Sequence, residues 1–451
     1  MIDHSYSLLQ DSKTITPGFC CELCEKTFLQ KSNYEKHLKR KTPCKKNSIE
    51  VKEQVSDPEI KVKSKQKLGQ FYTTNYEYIL QNLTIPCYIT NIIEPFAGKG
   101  DLLNFINKEN IDENIDEKTN KYLIESYDIE PKNSNIIKRD TILNPPDYNN
   151  KFIITNPPYL ARNKSDNKII FDKYQQNDLY KCFLIELTQN KCLGGIIIIP
   201  LNFWCSIRKN DIELRKNFID IYNILIMNIF EERVFDDTSY TVCSFQFQLK
   251  NTNTTNNTTN NTTNNTTNNT TNNTTNNTTN NTTNNTTNNI KCFIYPSKLE
   301  INFELNKNNN YTIGGEIYNL KQNSKIKIER LTKNNKNSEF KTNILLKCID
   351  DSIDNKICLS IVKDENIYID TTPNLSARSY ASFTVEPKIS KEDEEKLVNN
   401  FNLFLNEKRN KYNSLFLTNF RESNSIARKR ISFGLAFEII NYLLGENNKN
   451  N

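Results

Sequence analysis

The sequence predicts a doubly wound α/β sheet at the centre of the chain, and three observations point to it. From about residue 68, apolar runs of strand length alternate with segments of helical periodicity. A glycine turn, FAGKG, stands between one such run and the helix that follows it. Acidic residues and an Asn-Pro-Pro come just after other runs, where ligands gather in this architecture. A small ββα unit is expected before this centre and an α+β region after it.

At 451 residues the chain has length for two or three domains with a real core. It is 25% charged and 36% hydrophobic, with a mean hydropathy of −0.68. No run of about 18 apolar residues occurs, and MIDHSYSLLQDSK lacks the basic-then-apolar order of a signal peptide. A soluble, intracellular protein with no membrane span is therefore expected. Its twelve cysteines then read as core residues or metal ligands rather than disulfides. The net charge of +6 is matched by residues 21–70 alone, with thirteen Lys and Arg against seven Asp and Glu. A basic arm of this kind suits a polyanionic partner, or is simply a solvated linker.

The first element is FCCELCEKTFLQKSNYEKHLKRKTPC, within residues 17–46. Cys21 and Cys24 are followed by His37 after twelve residues and by Cys44 after six more. Phe19, Phe28 and Tyr34 supply the apolar core of a ββα unit. Four such ligands in a segment too short to bury a core are what tetrahedral Zn²⁺ requires, and without metal the segment should not fold. Cys20 competes with Cys21 for the first ligand position. The segment resembles the classical zinc finger, with Cys in place of the second His. One finger reads about three base pairs, so Lys31, Lys36, Lys39 and Arg40 are expected to add affinity rather than specify a sequence. Residues 47–66 form a basic linker.

Residues 67–250 carry the central sheet. TNIIEP reads as a buried strand, FAGKG as its turn and DLLNFINK as the next helix. Gly98 and Gly100 let backbone approach a ligand closely, but the spacing is not that of a phosphate-binding P-loop. KYLIESYDIEP reads as a strand ending at Asp128, whose carboxylate can accept from both hydroxyls of a ribose. FIIT, GGIIIIP and SYTVCSFQFQL supply later strands. Asn-Pro-Pro occurs twice, at 144 and 156. The first copy follows RDTIL with no strand feeding it and reads as a loop. The second, Asn156-Pro157-Pro158-Tyr159, follows FIIT directly. Its prolines stiffen the segment and remove two donors, leaving the Asn156 side-chain oxygen and the Pro157 carbonyl as acceptors for an exocyclic amine. Tyr159 offers a ring face for a planar base.

Over residues 67–250 these motifs, in this order, resemble the S-adenosylmethionine-dependent DNA adenine-N6 methyltransferases of the gamma group. The resemblance implies a Rossmann-like methyltransferase sheet. It also implies that GQFYTT, with Phe71 and Thr73, contacts the methionine half of S-adenosylmethionine. EPFAGKGD would be the cofactor loop, with Glu94, Pro95, Phe96, Ala97, Gly98 and Gly100; Glu94 stands where Asp is more usual. Asp128 and Ile129 would meet the ribose, and Asp140 the adenine amine. Asn156, Pro157, Pro158 and Tyr159 would be the catalytic motif, Asn156 also touching the cofactor. Phe235, in FEERVFDDTSYTVCSF, would stack with Tyr159 on an adenine extruded from the duplex. Relatives bearing NPPY methylate protein glutamine or RNA, so an RNA adenine or protein target stays open, as does an inactive nucleic-acid-binding scaffold. Duplex DNA is the expected partner.

Residues 251–289 contain only Asn and Thr and cannot form a core, so they read as an insertion between two domains. Residues 290–451 read as a target-recognition domain. Helical periodicity runs through KLVNNFNLFLNEKRNKYNSLFL and ISFGLAFEIINYLL. Arg378 in SARSY, and Arg421, Arg428 and Arg430 in RESNSIARKR, are candidate contacts to phosphates or bases, or a solvated face.

Overall fold

The computed structural model describes residues 19–21, 27–28, 30–39, 69–110, 121–235, 240–250, 289–350, 356–417, 421–423 and 426–447. Cys24, Cys44, Arg40, the basic linker and the Asn/Thr tract up to residue 288 lie outside the described residues. So do the side chains of Cys20, Arg421 and Arg428. The chain divides into two compact units, Met1–Val62 and Lys63–Asn451.

The first unit contains an antiparallel pair, β1 (Phe19–Cys20) with β2 (Thr27–Phe28), and then α1 (Lys31–Leu38). The Tyr34 ring lies 5.9 Å from Phe19 and 6.0 Å from Phe28, and His37 lies 4.8 Å from Phe28. The expected ββα unit is therefore present with its aromatic core. Cys21 is buried, and Lys31, Lys36 and Lys39 are exposed. No group of three or more His, Cys, Asp or Glu among the described residues is placed to hold a metal ion.

The second unit opens with a short helix, α2 (Tyr76–Ile79), and builds a nine-stranded sheet. Its elements are β3 (Asn91–Glu94), α3 (Asp101–Asn110), β4 (Leu123–Asp128), β5 (Ile137–Lys138), β6 (Phe152–Thr155), α4 (Ile169–Tyr174), α5 (Leu179–Gln189) and β7 (Gly194–Pro200). They continue with α6 (Asn202–Cys205), α7 (Lys209–Ile221), β8 (Tyr222–Phe230), β9 (Val242–Leu249), β10 (Asn289–Tyr295) and β11 (Leu299–Glu304). The strand order is β11-β10-β8-β9-β7-β6-β3-β4-β5. All neighbours from β7 through β5 are parallel, whereas β9 runs antiparallel to both β7 and β8. This is the expected Rossmann-like sheet. Its central strands are continuous apolar runs because both faces are covered: FIIT and GGIIIIP are buried throughout. The chain builds β3, β4 and β5 outward on one side and returns to place β6 and β7 on the other. The switch point therefore lies between β3 and β6, whose carboxyl ends carry the glycine turn and Asn156.

The boundary expected at residue 290 moves. β10 pairs in parallel with β8, and Ile290, Cys292 and Ile294 are fully buried, so the Asn/Thr tract interrupts one sheet instead of separating two domains. The alternating apolar residues of IKCFIY carried this signal. Beyond the sheet come β12 (Lys327–Arg330), β13 (Ile344–Lys347), β14 (Ile349–Asp350), β15 (Cys358–Ile361), β16 (Tyr380–Ala381) and β17 (Phe383–Glu386). They are followed by α8 (Lys391–Tyr412), β18 (Arg421–Ser423), β19 (Ile426–Arg430) and α9 (Phe433–Asn447). The short strands form two- and three-stranded sheets against the two long helices. Ser390 caps α8 reciprocally: its hydroxyl accepts from the Asp393 amide at 3.1 Å, and the Asp393 carboxylate accepts from the Ser390 amide at 3.3 Å. Among the described residues no helix is long and apolar enough to cross a membrane.

Arg215 on α7 is fully buried and ties the sheet to the segment after β11. Its guanidinium donates to the carbonyls of Tyr311 at 2.6 Å and Ser206 at 2.7 Å, to Thr312 Oγ1 at 2.6 Å, and to the Phe203 carbonyl. Arg215→Ala strands these buried acceptors and should destabilise the fold by about 3 kcal/mol or more. Denaturant unfolding followed by tryptophan fluorescence measures this.

Candidate active site

A cavity of about 400 Å³ opens at the switch point, within the usual range of small-molecule sites of about 300–1,000 Å³. β3 delivers Glu94 to it, the following turn Phe96, Ala97 and Gly98, and β4 delivers Asp128 and Ile129. Asp140 enters from the loop after β5, and Asn156 and Pro158 from the end of β6. Phe71 and Thr73 arrive from residues 69–74. Ten of the expected cofactor-contacting residues thus line one cavity. Pro95 and Gly100 do not line it, but they shape the turn: the Pro95 carbonyl accepts from Thr141 Oγ1 at 2.8 Å, and the Gly100 amide donates to the Ala97 carbonyl at 2.6 Å.

Asp128 organises the cofactor side. One oxygen accepts from the Gly98 amide at 2.8 Å, the other from the Glu130 amide at 2.7 Å and from Gln70 Nε2 at 3.3 Å. The first bond draws the glycine turn against the end of β4. Gly98 has a φ of +56°, and a Cβ there would come within 3.1 Å of the Tyr72 ring, so glycine lets residue 72 lie directly on the turn. Asp140 accepts from the amides of Ile142 at 3.2 Å and Leu143 at 3.0 Å.

Asn156 organises the opposite wall. Its Nδ2 donates to the Phe71 carbonyl at 2.9 Å and to Thr73 Oγ1 at 3.1 Å, which fixes which end of the amide is the oxygen. Its Oδ1 accepts from the Tyr159 hydroxyl at 2.5 Å. The 69–74 segment is also held by backbone, the Tyr159 amide donating to the Gly69 carbonyl at 2.9 Å. A Cβ on Gly69 would meet the Tyr159 carbonyl at 2.7 Å, so only glycine allows this approach.

The first Asn-Pro-Pro is a loop, as expected. Arg139 donates to the carbonyls of Asn144 and Pro145, each at 2.8 Å, and Asn190 to that of Pro146 at 2.8 Å. The ring face expected to be open at Tyr159 and Phe235 is not. These rings are 4% and 5% exposed, and their centroids lie 5.2 Å and 6.2 Å from that of Phe71. Neither is among the residues lining the cavity, and Pro157 is not either. FIITNPPY reads as a strand and a turn, and nothing in that stretch signals a Phe ring eighty residues earlier in the chain.

The lining combines two kinds of residue: Phe96, Ile129, Ile142, Ile170, Phe171 and Leu179 are apolar, and Glu94, Asp101, Asp128, Asp140 and Asp166 supply five carboxyl groups against the one guanidinium of Arg139. Asp101 closes the EPFAGKGD motif, whereas Leu179 and the 165–167 loop with Asp166 carry no motif and are joined to the site only by folding. Glu94 is 1% exposed, and among the described residues its Oε2 has no hydrogen-bond partner. Burial, then the charges of Asp101 and Asp128, push its carboxyl well above the usual range.

No protein-family model matches the chain, and no curated protein matches it. Among solved structures, it resembles a modification subunit of a putative type I restriction enzyme from Vibrio vulnificus YJ016: 14% identity, TM-score 0.32, covering 40% of this chain and 45% of that one. It also resembles a putative class I S-adenosylmethionine-dependent methyltransferase from Listeria monocytogenes, at 13% identity and TM-score 0.28, covering 46% and 64%. The type IIL restriction-modification enzyme MmeI, solved in complex with DNA, matches at 10% identity and TM-score 0.30, covering 64% and 43%. The chain spans less than two thirds of the length of each. At this distance the functional reading rests on the residues themselves.

Because folding raises the Glu94 pKa, the folded protein holds this proton more tightly than the unfolded chain. Its contribution is most favourable below the ordinary value of 4.5 and is lost as pH rises above it. Glu94→Gln, which keeps a neutral side chain at every pH, should melt close to wild type at pH 4 and increasingly above it toward pH 8. Thermal melts across that range check the sign.

Proposed function

We infer that this chain methylates the exocyclic N6 of adenine in duplex DNA, using S-adenosylmethionine. The observation that carries the reading is the cavity at the switch point, lined by both apolar and carboxyl-bearing residues, with an oriented Asn156 on its wall. The residues fit the cofactor. Glu94 offers a buried oxygen with no hydrogen-bond partner among the described residues to a cationic group, Asp128 has acceptor capacity for ribose hydroxyls, and the apolar lining residues suit a purine. Phe71, Thr73, Gly98, Ile129 and Asp140 would complete the cradle. When bound, S-adenosylmethionine supplies an electrophilic methyl on a positively charged sulfur, whose C–S bond breaks as the N–C bond forms.

The chain's own contribution is positioning. Adenine in a duplex cannot reach a buried site, so it must be extruded at a cost of a few kcal/mol. Stacking on Tyr159, with Phe235 behind Phe71, recovers about 1–3 kcal/mol per ring and requires the base to take over the face that Phe71 now covers. Asn156 Oδ1 retains a lone pair beside the Tyr159 hydroxyl. That oxygen and the Pro157 carbonyl accept the two amine protons, which draws the nitrogen lone pair out of conjugation. The nitrogen becomes acidic only as its new bond forms, so it sheds a proton through these acceptors to solvent without a strong base. Fixed dipoles and orientation supply the acceleration.

The N-terminal unit is proposed to hold Zn²⁺ through Cys21, Cys24, His37 and Cys44, with Lys39 and Arg40 on the DNA backbone. The buried Cys21 and the His37 ring beside Phe28 support this. The full chain should contain one zinc per molecule by elemental analysis, and Cys24→Ser should lose it while leaving cofactor affinity unchanged.

The reading predicts labelled-methyl transfer to duplex DNA, in preference to duplex RNA or a protein extract. Asn156→Ala should reduce the rate by about 10²-fold or more, while calorimetric titration shows the cofactor still bound. A variant of undiminished rate removes Asn156 from the chemistry.

A further inference from the structure

Two arginine-bearing segments in the C-terminal region, 376–380 and 421–430, lie far apart in sequence but meet across one residue. The Cys348 amide donates to the Ser379 carbonyl at 2.8 Å, and the Ile431 amide donates to the Cys348 carbonyl at 3.0 Å. SARSY and the end of β19 are thereby held on either side of residue 348. Arg330 on β12 joins them, its Nη1 donating to the Leu375 carbonyl at 3.0 Å.

The charge gathered there is only partly neutralised. Arg330 pairs with the buried Asp370. Arg378 is exposed, and its Nη1 donates only to the backbone carbonyls of Leu375 at 3.1 Å and Ala377 at 2.8 Å. Arg430 is half-buried, and among the described residues its Nε has no hydrogen-bond partner. Among the described residues no carboxylate pairs with Arg378 or Arg430. Burial, then the neighbouring Arg378 charge, lowers the Arg330 guanidinium below its ordinary range, as expected where like charges crowd. Tyr380 adds a ring that is 41% exposed, its centroid 6.5 Å from that of Tyr368.

The location links this face to the cavity. Lys429 on β19 pairs with Glu231, the residue after β8, and donates to the Asn413 carbonyl at 3.1 Å. β8 runs parallel to β7, since both are antiparallel to β9, so Glu231 stands at the same carboxyl edge of the sheet as Gly98 and Asn156. The Lys429–Glu231 pair therefore anchors the hairpin to the edge at which the cavity opens.

We propose that Arg378 and Arg430, with Tyr380 beside them, form a surface that grips the sugar-phosphate backbone of duplex DNA and holds it at the cavity edge. This rests on the methyltransferase reading for its biological purpose, but it is tested by binding alone.

The test uses the full chain, a fluorescein-labelled duplex DNA and anisotropy titrations at several salt concentrations, without cofactor. Each phosphate contact contributes about 0.9 to the slope of log affinity against log salt. Arg378→Ala and Arg430→Ala should each reduce the slope by about that amount, the double variant by about 1.8. Lysine at either position should restore most of the slope, and calorimetric cofactor affinity should not change. If Arg430→Ala does not fold, the exposed Arg378→Ala carries the test. Unchanged slopes overturn the proposal, and so does equal or tighter binding of a duplex RNA of the same sequence. Methylation by a double variant with wild-type DNA affinity sinks the surface and leaves the reading intact. A reduced slope in a chain that transfers no methyl does the reverse.

Discussion

The orientation of one side-chain amide underlies the whole site. Asn156 Nδ2 is committed to the Phe71 carbonyl and Thr73 Oγ1, and Oδ1 cannot exchange places with it without setting two acceptor oxygens, its own and that of Phe71, against each other. The same bonds fasten the 69–74 segment to the end of β6. That segment lies in turn on the glycine turn through Tyr72 and Gly98. A single interaction therefore sets the acceptor, closes one wall of the cavity and holds the segment that meets the opposite wall. Two prolines after Asn156 keep the backbone from relaxing away from this arrangement.

The sheet supplies the second condition. Parallel strands that reverse order between β3 and β6 leave a crevice at their carboxyl ends, and Glu94, Gly98, Asp128 and Asn156 stand on strand ends or on turns just after them. Burial then sets the chemistry. Glu94 and Asp128 are almost fully enclosed, where charge is expensive unless compensated. Gly98, Glu130 and Gln70 hydrogen-bond Asp128, while among the described residues nothing hydrogen-bonds the second oxygen of Glu94. That orphaned oxygen is the point at which a donor or cationic group of a bound ligand would find an unmet partner.

Much of this was legible in the sequence because it is local. FIIT and GGIIIIP are buried throughout and read as nearly unbroken apolar runs, and NIIE carries a buried Ile-Ile pair. The glycine turn, Asp128 and Asn156 follow such runs directly. The two copies of Asn-Pro-Pro were separable by whether a strand feeds them, and the Arg139 bonds show what the first copy does instead. What was not legible depends on distant contacts. The covering of Tyr159 by Phe71 joins residues 88 positions apart. The return of β10 and β11 to the sheet was hidden by a tract whose composition suggests a domain boundary. The convergence of 376–380 with 421–430 depends on Cys348, which has no sequence signature beyond being apolar.

The central claim is that a fixed pair of oxygen acceptors at the end of β6 presents one exocyclic nitrogen for alkylation. The most direct measurement is mass spectrometry of nucleosides released from duplex DNA after incubation with the purified chain and S-adenosylmethionine. The account predicts N6-methyladenine as the product. Methylation at a ring carbon of cytosine, or unmodified DNA from a chain that demonstrably binds both the cofactor and DNA, would contradict it.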